Sequence, residues 1–307
     1  METVSDIVWL IPVHIVGLIG FTLNSWIIAV NMKDYRAGIR LSLCDQILTL
    51  IGLTNLGLQT VLSANSFIST FKSNYKMFFQ EFQLTKIGIL VFLTTFNLWL
   101  TVSLSSYYCL KIVNFKRGIF LTLKMRISTF LPKFMVLSFV ESIFITIPFA
   151  WNVSPQILND PKKNSTDNSM EFQVILTVTS NYLVVVLTGT IVPLFFILLN
   201  IGLTLTSLWR HTKMMKKNDF CRHQLEAHRK AARTIVLLLL IYVIFYMSCV
   251  IITLYSFNVG NIMMVWFLVL AYPMAQSLII ILGNSKLKKA SKMTETYLRN
   301  CVKGTFK

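Results

Sequence analysis

Seven times along the chain a long apolar stretch gives way to a short polar one. The apolar runs cover about 7–32, 41–67, 85–112, 127–151, 174–208, 234–256 and 262–282. Each is long enough to cross a bilayer as an α-helix, which takes about 20 residues. Within lipid every backbone N–H and C=O needs a partner inside the protein, and a helix supplies one for each. The fifth run is overlong, so its first residues belong to the preceding loop and leave a helix over 179–208. The predicted fold is all-α: one domain, 1–307, built as a seven-transmembrane helix bundle, with 283–307 as a short cytoplasmic tail. No cleavable signal peptide is expected, because Met1 to Asp6 is acidic and the apolar run behind it is too long.

Composition agrees with lipid as the solvent. Only 13% of the 307 residues are charged and 55% are hydrophobic, whereas a soluble domain carries roughly 25% charged residues. Charge sets the orientation. The stretches 33–40, 111–133, 210–233 and 286–307 hold 24 of the 29 Lys and Arg residues; the alternate stretches hold Lys72, Lys76, Lys86, Lys162 and Lys163. Basic loops stay in the cytoplasm, which predicts an outside N-terminus and an inside C-terminus. The net charge of +17 therefore belongs to inner faces, where 210–233 also suits anionic headgroups, and gives no reason to expect nucleic acid. None of the five cysteines falls in an outer loop, so no extracellular disulfide is expected.

Catalytic chemistry finds little footing. Of His14, His211, His223 and His228 only His14 lies within a span, and no metal spacing or glycine-rich phosphate loop is present. No intramembrane His or Lys stands ready to activate a serine. The reading is a non-enzyme without metal or cofactor. A small-solute transporter is the other class to weigh, but it usually shows paired repeats and broken helices. Pro12, Pro148, Pro193 and Pro273 are single kinks instead.

The third run carries an unusual stripe. At ~1.5 Å per residue Trp99 lies ~20 Å below Lys86 and ~18 Å above Lys111, far from the interfacial belt where Trp normally sits. Thr95, Trp99, Ser103 and Ser106 share one helical face. Small hydroxyls around one large aromatic fit the lining of a cavity for a small organic molecule. They equally fit close helix packing, with the hydroxyls bonded back to their own backbone. Glu141 lies midway along the fourth run, where a carboxylate is costly and either serves an ion or ligand or sits protonated or paired at a helix contact. Asp45 is expected to pair with nearby Arg40. Asn24, Asn55 and Gln276, in runs one, two and seven, are expected to form a structural hydrogen-bonded network.

Five blocks, in order, carry a resemblance. The third run ends "SYYCLKIVNF" (106–115), with Trp99 upstream, and "LTLKMRI" (121–127) leads into the fourth. "PLFFILLNIGLTLTSLWRHTKMM" (193–215), "AHRKAARTIVLLLLIYVIFYMS" (227–248) and "YPMAQSLIIILGNSKLKKA" (272–290) follow. Together they resemble the bitter taste receptors (taste receptor type 2), a branch of the G-protein-coupled receptors. Asn164-Ser165-Thr166, between the fourth and fifth runs, stands where that family usually bears an N-glycan. Asn55 replaces the family's usual Arg, Gln276 its common His, and Ser66 stands near a frequent pocket Trp, so the resemblance is to a divergent member.

The resemblance implies a multi-pass receptor of the plasma membrane that binds small, mostly apolar bitter compounds and activates a gustducin-like, inhibitory-class heterotrimeric G protein. Trp99 aligns with the family's agonist-contacting Trp, and Ser103 lies one turn deeper. Phe245 falls at the family's Tyr switch with Tyr246 beside it. Thr95, Val186, Gly189, Ser248, Ile252, Trp266 and Val269 would complete the walls, and no acid is expected beside Trp99 to anchor an amine. Tyr108, Lys111, His211 and Lys286, at the inner face, are candidates for G-protein contact or gating. A vomeronasal type-1 pheromone receptor is the nearer alternative and a small-solute transporter the farther.

Overall fold

The structure is a computed structural model that describes residues 4–70, 76–113, 119–158, 180–214, 222–254 and 259–305. The polar breaks in the sequence separate long helices: α1 (Val4–Arg36), α2 (Leu43–Thr70), α3 (Lys76–Ile112), α5 (Ile127–Leu158), α6 (Ser180–Met214), α7 (Arg222–Leu254) and α8 (Val259–Gly283). A short α4 (Ile119–Met125) precedes α5, and α9 (Ser285–Thr305) follows α8. Among the described residues α1, α2, α3, α5, α6 and α7 are each long and apolar enough to cross a membrane, and α8 with α9 supplies the seventh candidate. No strand occurs among the described residues. The chain is thus an all-helical, multi-pass membrane bundle.

The helices form a ring, α1–α2–α3–α5–α6–α7–α8, that closes where α8 meets α1. α3 sits innermost, touching α2, α5, α6 and α7. Burial shows its place: 61% of its spanning window is buried, against 22% for α5. The outer surface of α5 presents Val136, Leu137, Phe139, Val140 and Phe144. In water such a surface would drive aggregation; in a bilayer it is the solvent-facing side.

Local chemistry fixes the helix ends at the basic face. Gly38 takes φ +77°, the left-handed conformation open to glycine. It lets Ile39 N–H reach Asp34 C=O and Gly38 N–H reach Tyr35 C=O, both at 3.0 Å, closing the last turn of α1. Ser42 caps α2: its Oγ accepts from Asp45 N–H at 3.2 Å and donates to Asp45 Oδ2 at 2.8 Å. Asn284 caps α9 by accepting from the Lys286 and Leu287 amides, which lets the chain turn through 96° after α8. Residues 283–307, expected simply as a tail, thus carry a helix set across the bundle axis.

At the same corner α7 and α8 approach to the limit that glycine allows. A Cβ at Gly283 would lie 2.6 Å from Thr234 Cγ2 and 3.1 Å from Thr234 Cβ. Gly283→Ala is therefore expected to overpack this crossing at a cost of about 1–3 kcal/mol. Surface expression and the unfolding midpoint should both fall, and Thr234→Ala in the same chain should restore most of the loss. A double variant no better than Gly283→Ala alone would show that the two helices do not meet here.

Candidate functional site

The α3 stripe is buried against two other helices. Thr95 and Trp99 are each 8% exposed and Ser103 is fully buried. The Trp99 ring meets the edge of Phe134 from α5 at 5.6 Å and lies tilted to Phe196 from α6 at 6.3 Å. One turn toward the start of α3, the α6 backbone closes in at Gly189, where an added Cβ would lie 3.5 Å from Ile145 Cδ1 and 3.9 Å from Thr95 Oγ1. The hydroxyls below Trp99 are already engaged. Ser103 Oγ donates to the Trp99 carbonyl at 3.0 Å, so it retains only acceptor capacity for another group. Ser105 and Ser106 accept from the Asn200 amide of α6 at 3.0 and 2.9 Å, which ties α3 to α6 beneath the tryptophan.

Phe245 stands on α7 with its ring 4.4 Å from that of Tyr272 on α8, while Tyr242 completes an aromatic trio. Trp99, Phe245, Val269 and Tyr272 belong to one continuous apolar cluster, with Tyr246 packed against it. Ser248 Oγ is spent on the Ile244 carbonyl at 2.8 Å. Val186, Ile252 and Trp266 fall on α6, α7 and α8, but their side chains lie outside the described residues, as do those of Ser66 and His211. Asn164 lies outside the described residues altogether.

One expectation is overturned. An acid does stand beside Trp99, because α5 packs along α3 and brings Glu141 to the indole. The two do not meet in hydrogen-bond geometry: Trp99 Nε1 and Glu141 Oε2 are both buried without a hydrogen-bond partner. Sequence separation hid this neighbour, since nothing in the sequence reports the register between α3 and α5.

Beneath the aromatic cluster runs a neutral amide network whose hub the sequence reading missed. Asn55 donates to Asn24 Oδ1 at 3.1 Å. Asn55 and Gln276 do not meet directly; Asn97, on α3, stands between them. Asn97 Nδ2 donates to Asn55 Oδ1 and Thr54 Oγ1, both at 2.8 Å. Its Oδ1 accepts from Gln276 Nε2 at 2.9 Å and from the Tyr272 hydroxyl at 3.1 Å. Tyr272 thus belongs to both the apolar cluster and the network. Asn97 was detectable as an amide in mid-membrane, but it lies two residues from Trp99 and so points off the stripe that drew attention.

At the basic face a second correction appears. Asp45 does not pair with Arg40. Lys286 Nζ sits 2.8 Å from Asp34 Oδ2 and 3.3 Å from Asp45 Oδ2, and it donates to Asn31 Oδ1 at 2.9 Å. Burial works against this ammonium, but the hydrogen bond it donates to Asp34 and the charge of Asp45 outweigh it and raise its pKa. Lys286 is therefore engaged within the chain, joining α1, α2 and α9. Tyr108 Oη lies 3.5 Å from Cys44 Sγ. Lys111 is exposed and reaches Tyr107 Oη at 3.4 Å.

Comparison with known proteins places these features in context. The sequence pattern of the Taste receptor protein (TAS2R) family matches residues 1–298. Taste receptor type 2 member 14 of Pongo pygmaeus is 30% identical over 296 residues, covering 92% of this chain and 88% of the relative. Taste receptor type 2 member 7 of Macaca mulatta is 28% identical over 300 residues, 94% and 92% of the two chains. Member 2 of Homo sapiens is also 28% identical, over 284 residues, with 88% and 90% covered.

Proposed function

Because the chain belongs to the Taste receptor protein (TAS2R) family, we propose that it is a plasma-membrane bitter receptor whose agonists occupy a pocket between α3, α6, α7 and α8 and whose output is a heterotrimeric G protein of the gustducin or inhibitory class. The family is one of receptors, not of enzymes. The observation that carries the reading is the single apolar cluster holding Trp99, Phe245 and Val269, which shares Tyr272 with the buried amide network. Thr95, Ser103, Gly189 and Ser248 border it, with Val186, Ile252 and Trp266 on the same helices. Such a lining suits an apolar compound held by a few polar groups.

The mechanism is a shift of populations without covalent chemistry. An agonist that binds the active arrangement better than the resting one moves the equilibrium by that difference in affinity. The Phe245 ring lies tilted against that of Tyr272 at 4.4 Å, so a ligand pressing on α7 also loads Asn97 and α3. Opening α7 away from α8 at Thr234 and Gly283 would free a groove for the last helix of a Gα subunit, a helix-in-groove mode. Tyr108, Lys111, His211, Tyr246 and Lys286 are the side chains assigned to contact or gating there. The pheromone-receptor and transporter alternatives draw no support from these observations.

The orientation, with the N-terminus outside, has a direct test in Asn164. Asn164→Gln should migrate faster on a gel, as should enzymatically deglycosylated wild type; unchanged mobility in both would contradict glycosylation at this outer loop. The signalling half is tested by GTP exchange on an inhibitory-class Gα in membranes containing the chain. Agonist-dependent exchange supports the proposal, whereas solute flux without exchange contradicts it.

A further inference from the structure

We propose that Asn200 is a latch between α3 and α6 that holds the bundle in its closed arrangement, and so sets both the ligand-independent output and the agonist concentration needed to exceed it. The inference deepens the signalling reading above and rests on it for its output. Asn200 lies buried on α6 between the buried Ile197 and Ile201. Both of its amide protons cross to α3, where Nδ2 donates to Ser105 Oγ at 3.0 Å and to Ser106 Oγ at 2.9 Å. Ser105 spends its own proton on the Val102 carbonyl at 2.9 Å, so it offers Asn200 only lone pairs. Seven residues before Asn200, Pro193 stands inside α6. It has no N–H for the Gly189 carbonyl, and the helix bends most easily there. The segment after Pro193 is then an arm that can swing, and Asn200 pins it to α3. Ser106 precedes Tyr108 by two residues and Asn200 precedes His211 by eleven, so the pin adjoins the walls assigned to the Gα helix. Thr234 and Gly283 are packed together in this structure, which makes it the closed arrangement. Opening the α3–α6 wall has to break the two bonds of Asn200 or pass them to entering water.

The test reads the full-length receptor in lipid nanodiscs in two ways. Spectroscopic labels carried by unnatural amino acids at the exposed positions 36 and 206 report the distance from α1 to the α6 arm. GTP exchange on an inhibitory-class Gα, with and without compounds of a bitter library, reports output. Asn200→Leu keeps similar volume and loses both donors, so it should add a longer distance to the one wild type shows. It should raise agonist-free exchange by at least about threefold and at most about eightfold, the weight of two intramembrane hydrogen bonds. The half-maximal agonist concentration should fall by a similar factor, because binding no longer works against the latch. Simple damage to the fold moves both output readings the other way. The pair Ser105→Ala with Ser106→Ala should reproduce the effect from the α3 side, and adding Asn200→Leu to that pair should do no more. Unchanged distances in Asn200→Leu overturn the latch. In a receptor whose wild type answers the library, unchanged agonist-free exchange, a raised agonist requirement or effects that add across the two helices overturn it as well. A longer distance in Asn200→Leu, with no exchange from any chain including wild type, counts against the signalling reading and leaves the latch standing.

Discussion

Trp99→Ala, present at the cell surface in wild-type amount, should need at least about tenfold more agonist for a half-maximal response, the equivalent of ~1.4 kcal/mol. Its ring is the largest surface that α3 offers to the apolar cluster, and loss of a buried tryptophan contact commonly costs ~2 kcal/mol or more. Truncation also leaves a cavity beside Phe134 and Phe196, which costs stability whether or not a ligand is bound. Trp99→Phe separates the two effects, because it keeps a ring and gives up the indole N–H with part of the area. It should fold better than the alanine variant and shift the response less. Dose–response curves for several agonists, normalised to surface receptor and to a ligand-independent measure of coupling, read the result. Unchanged curves for Trp99→Ala would return the serine stripe to a packing role.

Asn97→Leu should be the most damaging substitution in the amide network. It keeps similar volume but removes two donated and two accepted hydrogen bonds, to Thr54, Asn55, Tyr272 and Gln276. Intramembrane side-chain bonds average ~0.6 kcal/mol, so four amount to roughly 2 kcal/mol. Asn55→Leu removes two bonds and should cost about half as much. The pair Asn55→Leu with Gln276→Leu should be less than additive, because both residues bond the same Asn97. Surface counts and unfolding midpoints in detergent measure this order. Additive losses, or an Asn97→Leu variant as stable as wild type, would contradict a shared hub.

What could be read from the sequence follows the range of the physics involved. Seven spans are legible because burial in lipid acts on every residue of a run, so the signal accumulates within one segment. Trp99 stood out for a similar reason: a tryptophan in mid-membrane violates a local rule. The neighbour of Trp99 did not stand out, since Glu141 is 42 positions away and only the α3–α5 register brings it close. Proximity in the sequence points Asp45 to Arg40, five positions away. The Gly38 turn ends α1 at that point, and the Asn284 cap swings Lys286 back across 241 positions to claim the acid. Ser103 illustrates the ambiguity of hydroxyls in helices. Its position on the stripe suits a pocket, yet its proton goes to the Trp99 carbonyl, which no spacing rule distinguishes.

The central claim is that this chain turns the binding of small bitter compounds into G-protein signalling. Calcium imaging measures it directly, in cells carrying the receptor with a promiscuous Gα and challenged with a broad bitter library. The account predicts dose-dependent responses to a subset of compounds, absent from cells without the receptor and shifted to higher concentration by Trp99→Ala. Silence toward every compound, with the receptor demonstrated at the cell surface, would contradict it.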